Sequence, residues 1–138
     1  LRPTYLEELG LIPALEMLTR QAQARFEVIG EEKRLDAERE LALYRIVQEA
    51  LRNVTKHAQA KKVSVMIAFD EHTATATIED DGVGFNAPDA PTSYALAGHF
   101  GLMGMQERAQ LFGGNVYVKS ERSKGTKVVA FVPVSAIG

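Results

Sequence analysis

The sequence contains no cysteine, which excludes a disulfide framework and any thiolate-ligated metal centre and points to a reducing compartment such as the cytosol. It has no long basic block. Sixteen Lys and Arg against eighteen Asp and Glu give a net charge of -2, so the electrostatic footprint of a nucleic-acid binder is missing. No long hydrophobic run is present either. The most apolar stretch, Val63 to Phe69, is far too short to span a bilayer, and no charged-then-apolar leader opens the chain. Internal repeats and the Walker pattern G-x-x-x-x-G-K-[ST] are also lacking, and the glycine spacing is not that of a dinucleotide fold. What remains is 138 residues, 46% hydrophobic and 25% charged, enough for one domain over residues 1–138 with a real core. The first residue is Leu1 followed by Arg2-Pro3, so the chain is expected to be a piece of a longer protein, with a membrane anchor upstream left open.

Apolar residues at Leu11, Ile12, Leu15, Met17 and Leu18 predict a first helix over Leu11 to Arg25, with a soft break at Gly10-Leu11-Ile12-Pro13. Phe26 to Ile29 reads as a short edge strand. Asp36 is placed to cap a long helix from Ala37 to about Ala58. Val63 to Phe69 and Thr73 to Glu79 read as a hairpin, and Val116 to Glu121 with Lys127 to Val134 as a second strand pair. Between them lie a coil from Asn86 to Gly98 with little to pack and a helix over Leu102 to Phe112 closed by Gly113-Gly114. This mixture predicts an α+β fold: a two-layer α/β sandwich with a mixed, mostly antiparallel sheet covered by helices on one face.

Three polar signals stand out. On the long helix, Leu43, Val47, Ala50, Leu51, Val54 and Ala58 fall on one side, and Arg45, Glu49, Arg52, Asn53, Lys56 and His57 on the other. Such a face is commonly just solvated. Asparagine is a modest helix former, however, and its neutral oxygen suits Mg²⁺ that shares its charge with ATP phosphates. A carboxylate at Glu49, one turn earlier, makes sense beside phosphates if it accepts a proton from the attacking group or orients it. Lys56 or His57 would offset phosphate charge. The second signal is Asp80-Asp81-Gly82-Val83-Gly84, where a carboxylate could accept from an adenine amino group and the glycines let backbone approach a ligand. A plain β-turn is the competing reading, and a calcium loop lacks the distal Glu and spacing. The third is Gly98, Gly101 and Gly104, every third residue before a helix whose amides could face phosphate. Residues 86–101 are accordingly expected to form a mobile lid. Gly125-Thr126 could reach a base through water, or be only a hairpin turn.

Together these residues resemble the ATP-binding catalytic domain of sensor histidine kinases, in the ATPase superfamily shared with type II topoisomerases, heat-shock chaperones and mismatch-repair ATPases. Leu43-Tyr44-Arg45-Ile46-Val47-Gln48-Glu49-Ala50-Leu51-Arg52-Asn53 is similar to the asparagine box of the nitrate-sensor and lipid-fluidity-sensor subfamily. Asp80 to Phe85 resembles the first glycine box, Gly98 to Met105 the second, and Gly125-Thr126 the last. The resemblance implies a Bergerat-type fold with ATP and Mg²⁺ as cofactors. It implies that Asn53 ligates Mg²⁺, that Glu49 is catalytic and polarises an accepting histidine, and that Asp80 holds the adenine amino group. Gly82, Gly84, Gly101, Leu102 and Gly104 would shape the pocket and lid, with Lys56, His57 and Thr126 also at the nucleotide. Gln106 departs from the arginine common there. The implied partners are a separate dimerisation domain carrying the phosphoacceptor histidine and a downstream response regulator, with the isolated domain a monomer. None of His57, His72 or His99 has the context of an acceptor. An anti-sigma-type serine kinase, a nucleotide-gated interaction module and a plain structural domain are the competing functions.

Overall fold

The structure, a computed structural model, describes residues 3–55, 59–84 and 100–135. Five strands form one sheet in the order β1-β2-β3-β5-β4: β1 (Arg25–Ile29), β2 (Val63–Phe69), β3 (Thr73–Asp80), β4 (Asn115–Glu121) and β5 (Gly125–Pro133). The helices are α1 (Thr4–Leu9), α2 (Leu11–Gln21), α3 (Ala37–Asn53) and α4 (Phe100–Gln110). Edge strand β1 pairs parallel with β2, and α3 is the crossover that a parallel pair requires. Every other pairing is antiparallel. The mixed, mostly antiparallel sheet under one helical layer is the architecture expected from the sequence.

Alternation decides which face is covered. Val65, Ile67, Phe69, Ala74, Ala76, Ile78, Val116, Val128, Ala130 and Val132 alternate along their strands and are buried with Leu15, Leu43, Ile46, Val47 and Met105 of the helices. Ala74, Ala76 and Ala130 are small, which leaves room for α3 to lie across β3 and β5. Each fully buried aliphatic side chain contributes roughly 1.5 to 3 kcal/mol, so the apolar stripe of α3 alone makes it the core's main helix.

Several boundaries differ from those read in the sequence, for local reasons. A short helix, α1, precedes the one expected from Leu11, and α1 and α2 meet at Gly10, whose φ of +93° turns the chain. A Cβ on Gly10 would lie 3.0 Å from the Arg34 guanidinium, which pairs with buried Glu40 of α3. Tyr5 of α1 also reaches α3, its hydroxyl 2.6 Å from that of buried Tyr44. Burial first and this bond second push the Tyr44 phenol up to about 12. The second helix stops at Gln21 instead of Arg25 because Gln23, at φ +56°, closes a Schellman motif: Ala24 N–H bonds Thr19 C=O and Gln23 N–H bonds Arg20 C=O. Arg25 is thereby released to open β1. Regular α-helix in α3 ends at Asn53, and α4 begins at Phe100, so Gly101 and Gly104 are helical and the last two positions of the expected 86–101 lid belong to a helix. The rest of that segment lies outside the described residues. At its other end α4 terminates as expected, with Gly113 at φ +83° and Gly114 N–H on Ala109 C=O.

The start of α3 is fixed by one arginine. Asp36 caps it, Oδ1 accepting from Arg39 N–H at 2.8 Å, while the buried Arg39 side chain pairs with the same carboxylate. Arg39 also donates from Nε to Pro133 C=O at 3.0 Å and lies 5.1 Å over the Phe112 ring. It therefore ties α3 to the end of β5 and to the turn after α4. Asp36→Ala should cost about 1 kcal/mol in urea denaturation, the usual loss of an N-cap. Arg39→Ala should cost more, because it leaves the part-buried Pro133 carbonyl without its partner and uncovers Phe112; an equal or smaller loss would mean the cap alone fixes α3.

Candidate functional site

At one end of the sheet the inward-facing apolar rows give way to polar residues. Ile78, Val128 and Val118 stand opposite one another, and one step on, Asp80, Thr126 and Ser120 occupy the next inward rung of β3, β5 and β4. Three polar side chains aimed inward need partners. Asp80 Oδ1 accepts the Gly82 N–H at 2.8 Å, and the Thr126 N–H also bonds its carboxylate. Ser120 Oγ donates to Gly125 C=O at 3.1 Å and stands 2.8 Å from Thr126 Oγ1. Burial pushes the Asp80 carboxyl above its usual value; the two N–H bonds oppose this, and the nearby Asp81 and Glu79 charges add to it. A carboxyl whose ionised form is penalised in this way is typical of a group placed for a ligand.

The neighbouring Asp81 has a different job. It is exposed, and its Oδ1 accepts N–H bonds from Lys61 and Lys62, each at 2.8 Å. These bonds, that from Lys62 foremost, hold its carboxyl below the usual range. Asp81 thus ties the start of β2 to the end of β3 while Asp80 faces inward. The turn after it lies against the β4–β5 hairpin, with Ser123 N–H on Val83 C=O at 2.6 Å. Two glycines make that contact possible. A Cβ on Gly84 would sit 2.0 Å from Glu121 O, and one on Gly125 2.0 Å from Asp80 O, both at positive φ. A cleft of about 580 Å³ opens here, lined by Lys62, Asp80, Asp81, Lys124 and Thr126, and it extends over the strand ends to Arg25 and Lys127.

A second cleft, of about 550 Å³, lies between α3 and α4 and holds Arg45, Glu49, Arg52 and Arg108 with Gly101 and Gly104. Glu49 is half-buried, 4.0 Å from Arg52. It lies directly against Gly101, where a Cβ would be 2.2 Å from Glu49 Oε1. Arg45 donates to Gln48 at 2.8 Å and rests 5.9 Å over the Tyr44 ring.

The sequence-derived candidates therefore fall into two groups. Asp80, Gly82, Gly84 and Thr126 meet at the strand ends; Glu49, Gly101 and Gly104 meet between the helices. Asn53 is half-buried at the end of α3, one turn beyond Glu49. Lys56 and His57 lie outside the described residues. Leu102 is buried in the core and anchors α4 there. Gln106 turns to the sheet, donating to Val116 C=O at 3.0 Å, and does not line the cleft between α3 and α4. Sequence reasoning missed Ser120, although Val116, Val118 and Ser120 alternate in plain sight. It also missed Arg108. Among the described residues no group of three or more His, Cys, Asp or Glu could hold a metal ion. No described helix is long and apolar enough to cross a membrane.

Comparison with known proteins places this geometry. Residues 38–136 match the family described as histidine kinase-, DNA gyrase B-, and HSP90-like ATPase. The chain is 37% identical to the oxygen sensor histidine kinase NreB of Staphylococcus carnosus over 98% of its own length and 40% of NreB. It is 34% identical to the signal transduction histidine-protein kinase/phosphatase DegS of Brevibacillus brevis, over 98% of this chain and 35% of DegS. It thus spans little more than a third of these relatives. A solved histidine kinase domain from an Erythrobacter litoralis blue-light activated histidine kinase shares the fold, with a TM-score of 0.67 at 20% identity over 86% of this chain and 57% of that one.

The glycines separate by what surrounds them. Gly104 has nothing within 4 Å of an added Cβ, so Gly104→Ala should stabilise the protein by up to about 1 kcal/mol. Gly101→Ala meets only the movable end of Glu49 and should leave the melting temperature nearly unchanged while displacing that carboxylate. Gly125→Ala meets backbone at positive φ and should be the most destabilising of the three; any other order in thermal melts would contradict the packing described. Asp80 yields a pH test. Its folded pKa is raised, so its contribution to stability is greatest below the unfolded value and is lost as pH rises through the window up to the folded value. The stability of wild type relative to Asp80→Asn should therefore fall as pH rises from about 4, the ordinary carboxylate value; a rise would mean that the N–H bonds outweigh burial.

Proposed function

The chain belongs to the family of histidine kinase-, DNA gyrase B-, and HSP90-like ATPases, and from that premise we propose that it is the ATP-binding catalytic domain of a two-component sensor histidine kinase. The observation that carries the reading is the pairing of two sites: an inward carboxylate ringed by close backbone at the strand ends, and a helix carboxylate against a glycine between α3 and α4. Asp80 accepts from the adenine amino group, with Gly82, Gly84 and Thr126 giving the base close access. Guanine would bring a carbonyl oxygen to that carboxylate and be disfavoured. Mg²⁺ fits the donor set, since it keeps most of its waters and takes substrate phosphates plus few protein oxygens; the Asn53 amide oxygen would hold it. When bound, it offsets charge on the phosphates. Lys56 and His57 belong to the same proposal as phosphate neighbours, and residues 86–99 as the lid.

Transfer requires an incoming histidine whose imidazole nitrogen forms a bond to the γ-phosphorus as the bond to the ADP oxygen breaks. Glu49 orients that imidazole and accepts its proton, which no cation-only cleft could do. Arg45, Arg52 and Arg108 give the cleft around it an excess of positive charge. The acceptor histidine belongs to a separate dimerisation domain of the parent kinase, with a response regulator receiving the phosphoryl group afterwards. A cytoplasmic location is part of the same reading.

Glu49→Gln keeps the shape of the side chain and removes its basicity. Supplied with the acceptor domain and radiolabelled ATP, this variant should transfer at least about a hundredfold more slowly while its ATP affinity stays within a few-fold. Unchanged transfer would reject a kinase role for Glu49 and favour a domain that only switches shape on binding ATP.

A further inference from the structure

We infer that the open face of the sheet is an interface between two copies of this chain, packed face to face with their strands antiparallel. The helices cover only the side that carries Val65, Ile67 and Val128. On the other side not one outward-facing side chain of the five strands is buried, so no described element packs on it. The solvated face of a mostly antiparallel sheet is ordinarily polar. This one is apolar in the middle. One rung sets Met66, Val129 and Tyr117 in line with Thr77, and the next sets Ile29, Ala68 and Phe131 in line with Thr75. The Tyr117 and Phe131 rings stack with centroids 6.2 Å apart and planes 16° from parallel. Tyr117 is 57% exposed and Ile29 45%. A contiguous patch of this kind marks an interaction surface.

Charge identifies the occupant. At one end of this face Arg25, Glu79, Lys127 and Lys119 share a rung with Ser64, three exposed cations against one exposed carboxylate. Lys119 and Lys127 stand directly opposite each other, an arrangement that costs stability in a sheet left alone. At the other end, past Ile29 and Phe69, lie Glu31, Glu32, Asp70 and Glu71, all exposed. Lys33 donates to Asp70 C=O at 2.9 Å and holds the two acidic segments together. The face is therefore basic at one end, apolar in the middle and acidic at the other, which is the pattern that its own copy complements. Two identical faces meet about a two-fold axis. An axis along the strands would set lysine on lysine. An axis across them turns the second copy end for end, lays apolar rungs on apolar rungs and sets each basic rung against the other copy's acidic end. Sheets that pack with their strands within about 30° of each other keep this match. Five strands at about 4.8 Å and about 20 Å of strand length give a footprint of roughly 500 Å² per chain. Stable complexes bury about 800 Å² per partner, so the pairing is weak. It uses the side of the sheet away from Asp80 and Glu49.

The test is sedimentation equilibrium of the chain at low salt, over concentrations from about 10 μM to about 1 mM, where a weak monomer–dimer equilibrium is measurable. Wild type is expected to dimerise within that range, and less at high salt. Two charge-reversed variants then read the geometry. Arg25→Glu with Lys119→Glu makes both ends of the face acidic, and Glu31→Lys with Glu71→Lys makes both ends basic; all four positions are exposed. Each variant alone should dimerise at least about tenfold more weakly, and an equimolar mixture should pair at least as well as wild type. That recovery is its own folding control, because chains that had lost the fold could not restore it. Tyr117→Ser should weaken wild-type pairing, whereas Leu111→Ser, at a position 80% exposed at the end of α4, should leave it unchanged. A wild type that stays monomeric throughout, variants that pair as tightly as wild type, or a mixture that stays monomeric while wild type pairs would overturn the inference. So would an equal loss in Tyr117→Ser and Leu111→Ser, which would place the contact elsewhere.

Discussion

Everything at the strand ends depends on how closely three backbone segments approach. Gly125 lies against the carbonyl of Asp80 and Gly84 against that of Glu121, at distances that leave no room for a Cβ. The turn after β3 and the β4–β5 hairpin are therefore packed together as backbone on backbone, with Ser123 N–H bonded across to Val83 C=O. This contact aims Asp80 inward and brings the Gly82 and Thr126 N–H groups onto its carboxylate. Without it Asp80 would be an ordinary turn aspartate in water. The glycines there are needed for proximity as much as for their positive φ.

The helix layer meets a second demand, which is to bring a charged face of α3 against α4 without burying bare charge. Its apolar stripe is held by the sheet, and its first turn by Arg39, which reaches Asp36, Pro133 and Phe112. Glu40 is buried but satisfied by Arg34 and the Leu35 N–H. At the other end of α3 Glu49 and Arg45 line a cleft. Leu102, Met105 and Ala109 pack α4 on the core, and Gln106 adds a bond to β4, so Gly101 meets Glu49 from a fixed position. Packing that is costly to disturb thus supports two polar sites that contribute little to stability themselves.

Much of this was legible in the sequence because side-chain periodicity directly reflects burial. The strands show their inward residues by alternation and α3 shows its stripe at helical spacing, so the fold class and the positions of Glu49, Asn53 and Asp80 on their elements could be read directly. Boundaries were harder, because they depend on single backbone states. Nothing in the letters of Ala22-Gln23-Ala24 announces the left-handed Gln23 that ends α2 early. Gly101 read as the end of a lid, yet the core contacts of Leu102, Met105 and Ala109, spread over about two turns, override the low propensity of the glycines at 101 and 104. Ser120 was missed for another reason: only the cross-strand register reveals that its hydroxyl and that of Thr126 share a rung. Long-range pairing of this kind is invisible to local pattern.

The claim at the centre is that Asp80, held inward by that backbone contact, receives an adenine amino group. Calorimetric titration of Mg-ATP, Mg-ADP and Mg-GTP into wild type and Asp80→Asn tests it most directly. The expected result is binding of both adenine nucleotides and not of GTP by wild type, lost in the variant while its far-ultraviolet circular dichroism is unchanged. Equal binding of ATP by a folded Asp80→Asn, or of GTP by wild type, would contradict it.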